Sequence, residues 1–212
     1  MLYNGLSNNP VERVVITYPF VYWDNVFTEN EIDKIVEYCD NIGTNGAKVV
    51  TNTNNNDEYN NNIRRSSVMF HNRNSNTDWI FARMNTAILN INSSYYGFDL
   101  NGYEMFQYTI YKAEERGTYD WHADSYYGDQ ILQEPWTQTR KLTITMLLNT
   151  PNIDFEGGEF LINVGDQNDA IVTPTKKGRI IAFPSYIIHK VAPITKGIRK
   201  SFVACVSGPK FK

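Results

Sequence analysis

The chain has 212 residues, 42% of them hydrophobic, and a formal charge of −3, which suits one domain with a real core. The acidic balance argues against a broad phosphate-binding surface, and no apolar run approaches the roughly 18 residues needed to span a bilayer. The opening Met1-Leu2-Tyr3-Asn4-Gly5 lacks the basic and apolar regions of a signal peptide, and two cysteines, Cys39 and Cys205, fit a reduced compartment. The expected location is therefore the cytoplasm.

Val14 to Tyr18 is a short β-rich run ending before Pro19. Thr28-Glu29-Asn30-Glu31 reads as a capping box that opens a helix, with Ile32, Ile35, Val36 and Cys39 on one face and an end near Gly43. Residues 44–62 carry the Asn-rich stretches 52–56 and 60–62, which cannot bury apolar area and read as a long loop. Ile63 to Phe70 reads as a strand, and His71 after it as a solvated residue. A second helix starts at Thr77-Asp78, with Ile80, Phe81, Met84, Ile88 and Ile91 at helical spacing and Gly97 at its close.

From residue 103 onward the pattern is mainly β. Candidate strands cover 103–111, 117–124, 141–149, 159–163, 170–173, 179–183, 186–191 and 198–206, separated by Gly- and Pro-containing turns. Strands in this number after two helices predict a mainly β fold with flanking α: a jelly roll with N-terminal helices packed outside. One domain is expected over 1–212, with residues 1–100 an N-terminal helical and strand elaboration and 101–212 the jelly-roll core. Residues 125–139 interrupt the series directly after Asp124. Their aromatics Tyr126, Tyr127 and Trp136 would sit at the rim of any site built there and are candidates for contacting substrate.

Only three histidines occur. His122 and Asp124 are two apart on an expected strand, so both side chains should leave the same face. Alone, such a pair is common by chance. His189, flanked by apolar residues, belongs in or near the barrel core, where a neutral imidazole needs a hydrogen-bond partner or a metal. Two histidines and a carboxylate can cap one face of an octahedral iron(II) and leave the remaining positions open. Arg199 lies in the strand that ends the chain, with Ser201 and Val203 on its face and Phe202, Ala204 and Val206 on the other. An inward-pointing arginine is costly unless paired. A bound dicarboxylate could pair with it, and Ser201 could donate to the same carboxylate. Cys39 and Cys205 occupy apolar positions and read as buried thiols.

These residues, in this order and spacing, make the chain resemble the 2-oxoglutarate/iron(II)-dependent oxygenases of the prolyl 4-hydroxylase-like branch. The resemblance runs from about residue 100 to the end. It includes Tyr108-Thr109-Ile110-Tyr111, Gly117-Thr118-Tyr119, His122-Ala123-Asp124, Leu148-Asn149, Glu156-Gly157-Gly158-Glu159-Phe160, Phe183-Pro184-Ser185, His189 and Gly197-Ile198-Arg199. Arg64-Arg65-Ser66 is compatible with it but less diagnostic. By that resemblance His122, Asp124 and His189 would hold iron(II), and Arg199 would bind the distal carboxylate of 2-oxoglutarate. Tyr111 and Tyr119 would contact the co-substrate or line its pocket. O₂ would be consumed, succinate and CO₂ released, and ascorbate would support turnover.

Two departures from the branch stand out. Collagen-type members carry lysine at the position of Arg199, and some protein-hydroxylating relatives carry tyrosine where this chain has Leu147. The expected activity is hydroxylation of an unactivated C–H bond, with a prolyl residue in a peptide or protein as the leading substrate. A small-molecule hydroxylase is the main alternative. A nucleic-acid dealkylase is disfavoured, because that branch carries a second arginine where this chain has Cys205. A non-catalytic metal-binding jelly roll would need no Arg199. No membrane partner is expected.

Overall fold

A computed structural model describes residues 18–46, 49–50, 57–58, 63–103, 105–125, 139–165 and 169–210. In chain order the elements are β1 (Val21–Trp23), α1 (Glu29–Ile42), β2 (Asn45–Gly46), β3 (Val49–Val50), β4 (Asp57–Glu58), β5 (Arg64–Arg65), β6 (Ser67–Asn72) and α2 (Asp78–Ile91). There follow β7 (Met105–Lys112), β8 (Thr118–His122), β9 (Thr139–Leu147), β10 (Phe155–Gly157), β11 (Phe160–Asn163), β12 (Ala170–Val172), β13 (Ile180–Pro184), β14 (His189–Val191) and β15 (Ile194–Gly208). The larger sheet runs β1-β13-β9-β15-β7-β6-β2, with β10 also paired to β15, and the smaller runs β12-β11-β14-β8-β5. All of the strand pairings within these two sheets are antiparallel. This is the expected jelly roll with helices on its outside.

The larger sheet separates two cores. On one side Phe106 and Tyr108 of β7, Leu142, Ile144 and Met146 of β9, and Phe202, Ala204 and Val206 of β15 pack in one cluster with the helices. The helices contribute Ile32, Ile35 and Cys39 from α1 and Ile80, Phe81, Met84, Ile88 and Ile91 from α2, the faces their spacing predicts. Each such large side chain, taken from water to full burial, contributes about 1.5–3 kcal/mol. On the other side Tyr111, Leu147, Ile181 and Phe183 meet Phe160, Ile162 and Val191 of the smaller sheet. Successive residues of one strand point to opposite faces, so β7, β9, β13 and β15 feed both cores.

The cap of α1 is the reciprocal box its sequence predicts: Thr28 accepts from the Glu31 backbone and Glu31 accepts from the Thr28 backbone. Asp40 near its end ties the helix to the sheet, accepting from Tyr108 at 2.6 Å and from Lys200 at 2.5 Å. In α2 the helix runs on through a wide turn, Asn92–Tyr96, before Gly97 closes it with φ 63°.

Several expectations change. The Asn-rich region contains short pairings, β2 with β6 and β3 with β4, where a plain loop was expected. Val14 to Thr17, and Tyr126, Tyr127 and Trp136 of the rim segment, lie outside the described residues. Gly197, read as a turn, sits inside β15 with φ 69°, and a Cβ there would fall on the Asp154 carbonyl. The glycine marks a close backbone approach within a continuous strand. His71 is buried, stacked on Phe106 at 4.9 Å and 5.6 Å from the Tyr38 ring. Packing of α1 against β6 and β7 closes over it, which the local sequence does not announce. Among the described residues no helix is long and apolar enough to cross a membrane.

Candidate active site

The site is built where β8 and β14 pair. His122 and His189 are direct neighbours in register, and their ring centroids are 4.2 Å apart. The Nδ1 of His122 donates to the Asp120 carbonyl at 2.7 Å, and that of His189 to the Ile187 carbonyl at 2.9 Å. Each bond puts the proton on Nδ1, so both Nε2 atoms carry a free lone pair. His122 Nε2 lies 3.8 Å from Asp124 Oδ1, and His189 Nε2 lies 3.6 Å from Asp124 Oδ2. The three potential ligand atoms all fall within 4.8 Å of one another, close enough to share one ion.

Asp124 reaches this place differently from the expectation. β8 ends at His122, so Asp124 is not on the strand. Instead its backbone N–H, and that of Ser125, donate to the Ser185 carbonyl at 2.9 and 3.0 Å. Its Oδ2 accepts from the Thr143 hydroxyl at 2.8 Å.

The electrostatics suit a divalent cation. Burial, then the neighbouring His189, pushes the His122 pKa down to about 3, so the imidazole is neutral at pH 7 and keeps its ligand lone pair. Burial alone would raise the Asp124 pKa. At the acid pH where this carboxyl titrates, positive charge on the two imidazoles outweighs burial, with help from the Thr143 hydroxyl and Arg140, and holds its pKa below the usual range, so it is ionised at pH 7. One carboxylate and two imidazole nitrogens form the donor set expected of a non-haem iron(II) site.

A cavity of about 710 Å³ opens beside these residues and is lined by Arg64, Tyr119, Arg140, Arg199, Ser201 and Cys205 among others. Arg199 is 3% exposed, and burial lowers its pKa from the usual arginine value. Its Nη1 donates to Ser201 Oγ at 3.2 Å, its guanidinium lies 5.5 Å from the Tyr111 ring centre, and its Nε has no partner among the described residues. The Ser201 proton stays free to donate into the cavity. Gly158 makes room for this arginine: a Cβ there would lie 2.9 Å from Arg199 Cδ and would collide with the Ile194 side chain. A buried cation that lines a cavity and keeps a donor unused has the chemistry to receive a carboxylate.

Tyr111 and Tyr119 both line the cavity. The Tyr119 ring stacks on His122 at 3.4 Å, and the Arg64 guanidinium lies 4.5 Å from the centre of the same ring. Arg64, Arg140, Thr143 and Ser185 were not singled out for roles by sequence. Arg64 is 8% exposed and donates from Nε to Ser66 at 2.8 Å. Cys205 departs from the expected buried thiol. It is only partly buried and faces the cavity, on the Arg199 face of β15, and burial pushes its pKa up to about 12. It is a neutral thiol, not a nucleophile.

Residues 106–206 match the model of the 2OG-Fe(II) oxygenase superfamily. A PKHD-type hydroxylase of Alteromonas mediterranea is 35% identical over 88 residues, covering 42% of this chain and 37% of that protein. The chain spans well under half the length of the curated relatives it matches. Among solved structures, a Pseudomonas putida prolyl-4-hydroxylase has a TM-score of 0.68 at 16% identity, covering 92% of this chain and 95% of that one. A Trichoplax adhaerens prolyl hydroxylase, in complex with a hypoxia inducible factor oxygen degradation domain peptide fragment, has a TM-score of 0.66 at 15% identity, covering 89% and 83%. At these identities the structural likeness establishes the fold.

Proposed function

From the premise that the jelly-roll core of this chain is a 2OG-Fe(II) oxygenase domain, we propose that the protein is an iron(II)- and 2-oxoglutarate-dependent hydroxylase acting on a prolyl residue in a peptide or protein. One observation carries the catalytic part. Two imidazoles with free Nε2 atoms and an ionised carboxylate converge within 4.8 Å at a cavity that also holds an arginine with an unused donor. The peptide substrate rests on similar structures: two of these are prolyl hydroxylases, one of them in complex with a peptide fragment.

In this reading His122, Asp124 and His189 hold iron(II), and Arg199 pairs with the distal carboxylate of 2-oxoglutarate. With both bound, iron and co-substrate supply the O₂ chemistry that converts a C–H bond into C–OH and releases succinate and CO₂. The chain's own contributions are positional. The Asp120 and Ile187 carbonyls fix the two imidazole tautomers. Ser201 adds a donor beside Arg199, and Tyr111 covers the guanidinium from the side. Phe160 and Phe183 flank His189 at 5.5 and 4.6 Å and would keep bulk water from that side of a bound metal. Tyr119 braces His122 by stacking.

The test has two stages. Succinate formation should require both added iron(II) and 2-oxoglutarate, in buffer containing ascorbate, and should be lost in His189→Ala. Proline-containing peptides and free metabolites are then screened for a one-oxygen mass gain. A gain confined to metabolites would replace the peptide assignment, and absence of succinate under every substrate would leave a metal-binding jelly roll.

A further inference from the structure

Asp124 is held by more than its metal-site neighbours. Its Oδ2 accepts from Thr143 Oγ1 at 2.8 Å, and Thr143 Oγ1 lies 2.9 Å from Ser185 Oγ. Thr143 and Ser185 are 1% and 0% exposed, so no bulk water competes for these bonds. An ionised carboxylate can only accept, so the Thr143 proton is committed to Asp124. In the second contact Thr143 must then accept, and Ser185 must donate. The two hydroxyls form a one-way chain, Ser185 to Thr143 to Asp124, aimed at one carboxylate oxygen.

The backbone reinforces this direction. Ser185 follows β13 and is pinned to β9 by its N–H donating to the Lys141 carbonyl at 3.0 Å. Its own carbonyl accepts the backbone N–H of Asp124 and of Ser125. Ser185 thus clasps the carboxylate twice, once through the backbone and once through Thr143. Thr143 sits on the cavity face of β9, between Phe183 of β13 and Cys205 of β15 in register. The larger sheet thereby positions a ligand that follows a strand of the smaller sheet.

We propose that Thr143 and Ser185 are positioning residues that fix the orientation in which the Asp124 carboxylate meets the metal. This rests on the iron-site reading above and adds what that reading leaves open: what holds the carboxylate in place. Both of its oxygens lie near the imidazoles, Oδ1 3.8 Å from His122 Nε2 and Oδ2 3.6 Å from His189 Nε2. A carboxylate free to swing would present them in many geometries, and the hydroxyl chain opposes that. It also orders the ligand before metal arrives, which raises affinity, since losing such outer partners costs about 10- to 100-fold in metal binding.

The experiment measures Mn(II) affinity by calorimetry, and the visible spectrum of the Co(II)-substituted protein, without 2-oxoglutarate or substrate. Thr143→Val keeps the side-chain shape and removes the donor; its Mn(II) Kd should rise about 10- to 100-fold, with an altered cobalt spectrum. Thr143→Ser restores a hydroxyl and should return both toward wild type. Ser185→Ala keeps the backbone carbonyl and should give a smaller rise with a spectral change in the same direction. It carries the test if Thr143→Val does not fold. A Thr143→Val protein with wild-type affinity and an unchanged cobalt spectrum overturns the proposal, as does an unchanged Ser185→Ala should it stand alone. Wild-type protein that binds neither metal overturns the iron site itself, and this one with it. Tight wild-type binding with unaffected variants overturns the positioning role alone.

Discussion

The two faces of the larger sheet use the same strands for opposite ends. On β15, Phe202, Ala204 and Val206 meet the helices, while Arg199, Ser201 and Cys205 meet the cavity. On β9, Leu142, Ile144 and Met146 face the helices and Thr143 and Thr145 the cavity. One face is packed mainly with apolar groups. The other buries a guanidinium with an unused donor and a carboxylate braced by two hydroxyls. Adjacent residues, about 3.3 Å apart along the strand, therefore divide into those that hold the fold and those that hold ligands. The cavity face weakens the empty protein in order to recognise a charged co-substrate.

That division can be broken from either side. The largest effect is expected on the helix face. Phe202→Ala should cost about 3–5 kcal/mol in urea unfolding, because Phe202 is 1% exposed and stacks on Phe106 at 4.4 Å. Mn(II) affinity of the folded fraction should stay close to wild type. A large loss of affinity in folded Phe202→Ala would mean the two faces are not separable.

Arg199→Met makes the opposite trade. It replaces a buried cation with an apolar chain of similar length and should stabilise the ligand-free protein by about 1–3 kcal/mol. The same variant should lose 2-oxoglutarate binding, measured by calorimetry on the Mn(II)-loaded protein. A destabilised Arg199→Met would point to a structural arginine.

The smallest effect concerns His71, which lies in the helix-side packing. Burial lowers its pKa, and its Nε2 has no partner among the described residues. The folded state therefore prefers the neutral ring, while the unfolded chain takes up a proton near pH 6.5. Stability from this group is complete above about pH 6.5 and falls as pH drops below it, by no more than about 1.4 kcal/mol per pH unit. His122, depressed to about 3, adds a loss of the same sign over the window from 6.5 down to 3. His71→Phe should flatten the acid side of the curve in part, and the His122 share should remain. An unchanged curve would place the acid sensitivity elsewhere.

Sequence reached the cavity face mainly through periodicity and chemistry. Arg199 and Ser201 were legible because a strand alternates, and a charged residue on an alternating apolar strand must be explained. His122, Asp124 and His189 were legible as a donor set. The route by which Asp124 joins it was not. The residue lies past the end of β8, and its place depends on Ser185 and Thr143, 61 and 19 positions away. Nothing local marks one threonine of Lys141-Leu142-Thr143-Ile144-Thr145 as a ligand's partner. His71 was misread for the same reason: its burial comes from Tyr38 on α1 and Phe106 on β7, not from its neighbours in sequence. Arg64 was seen only as part of a compatible strand, because its place over Tyr119 follows from the pairing of β5 with β8.

The proposed function puts metal and dicarboxylate together in one composite site, between the cavity face of the larger sheet and the His122 and His189 strands of the smaller one. Its most direct test is anaerobic titration of the iron(II)-loaded protein with 2-oxoglutarate, followed by visible charge-transfer absorption, in wild type and in Arg199→Ala. The account predicts a saturable band in wild type and a titration shifted to much higher 2-oxoglutarate in the variant. No band in iron-loaded wild type, or identical titrations in both proteins, would contradict it.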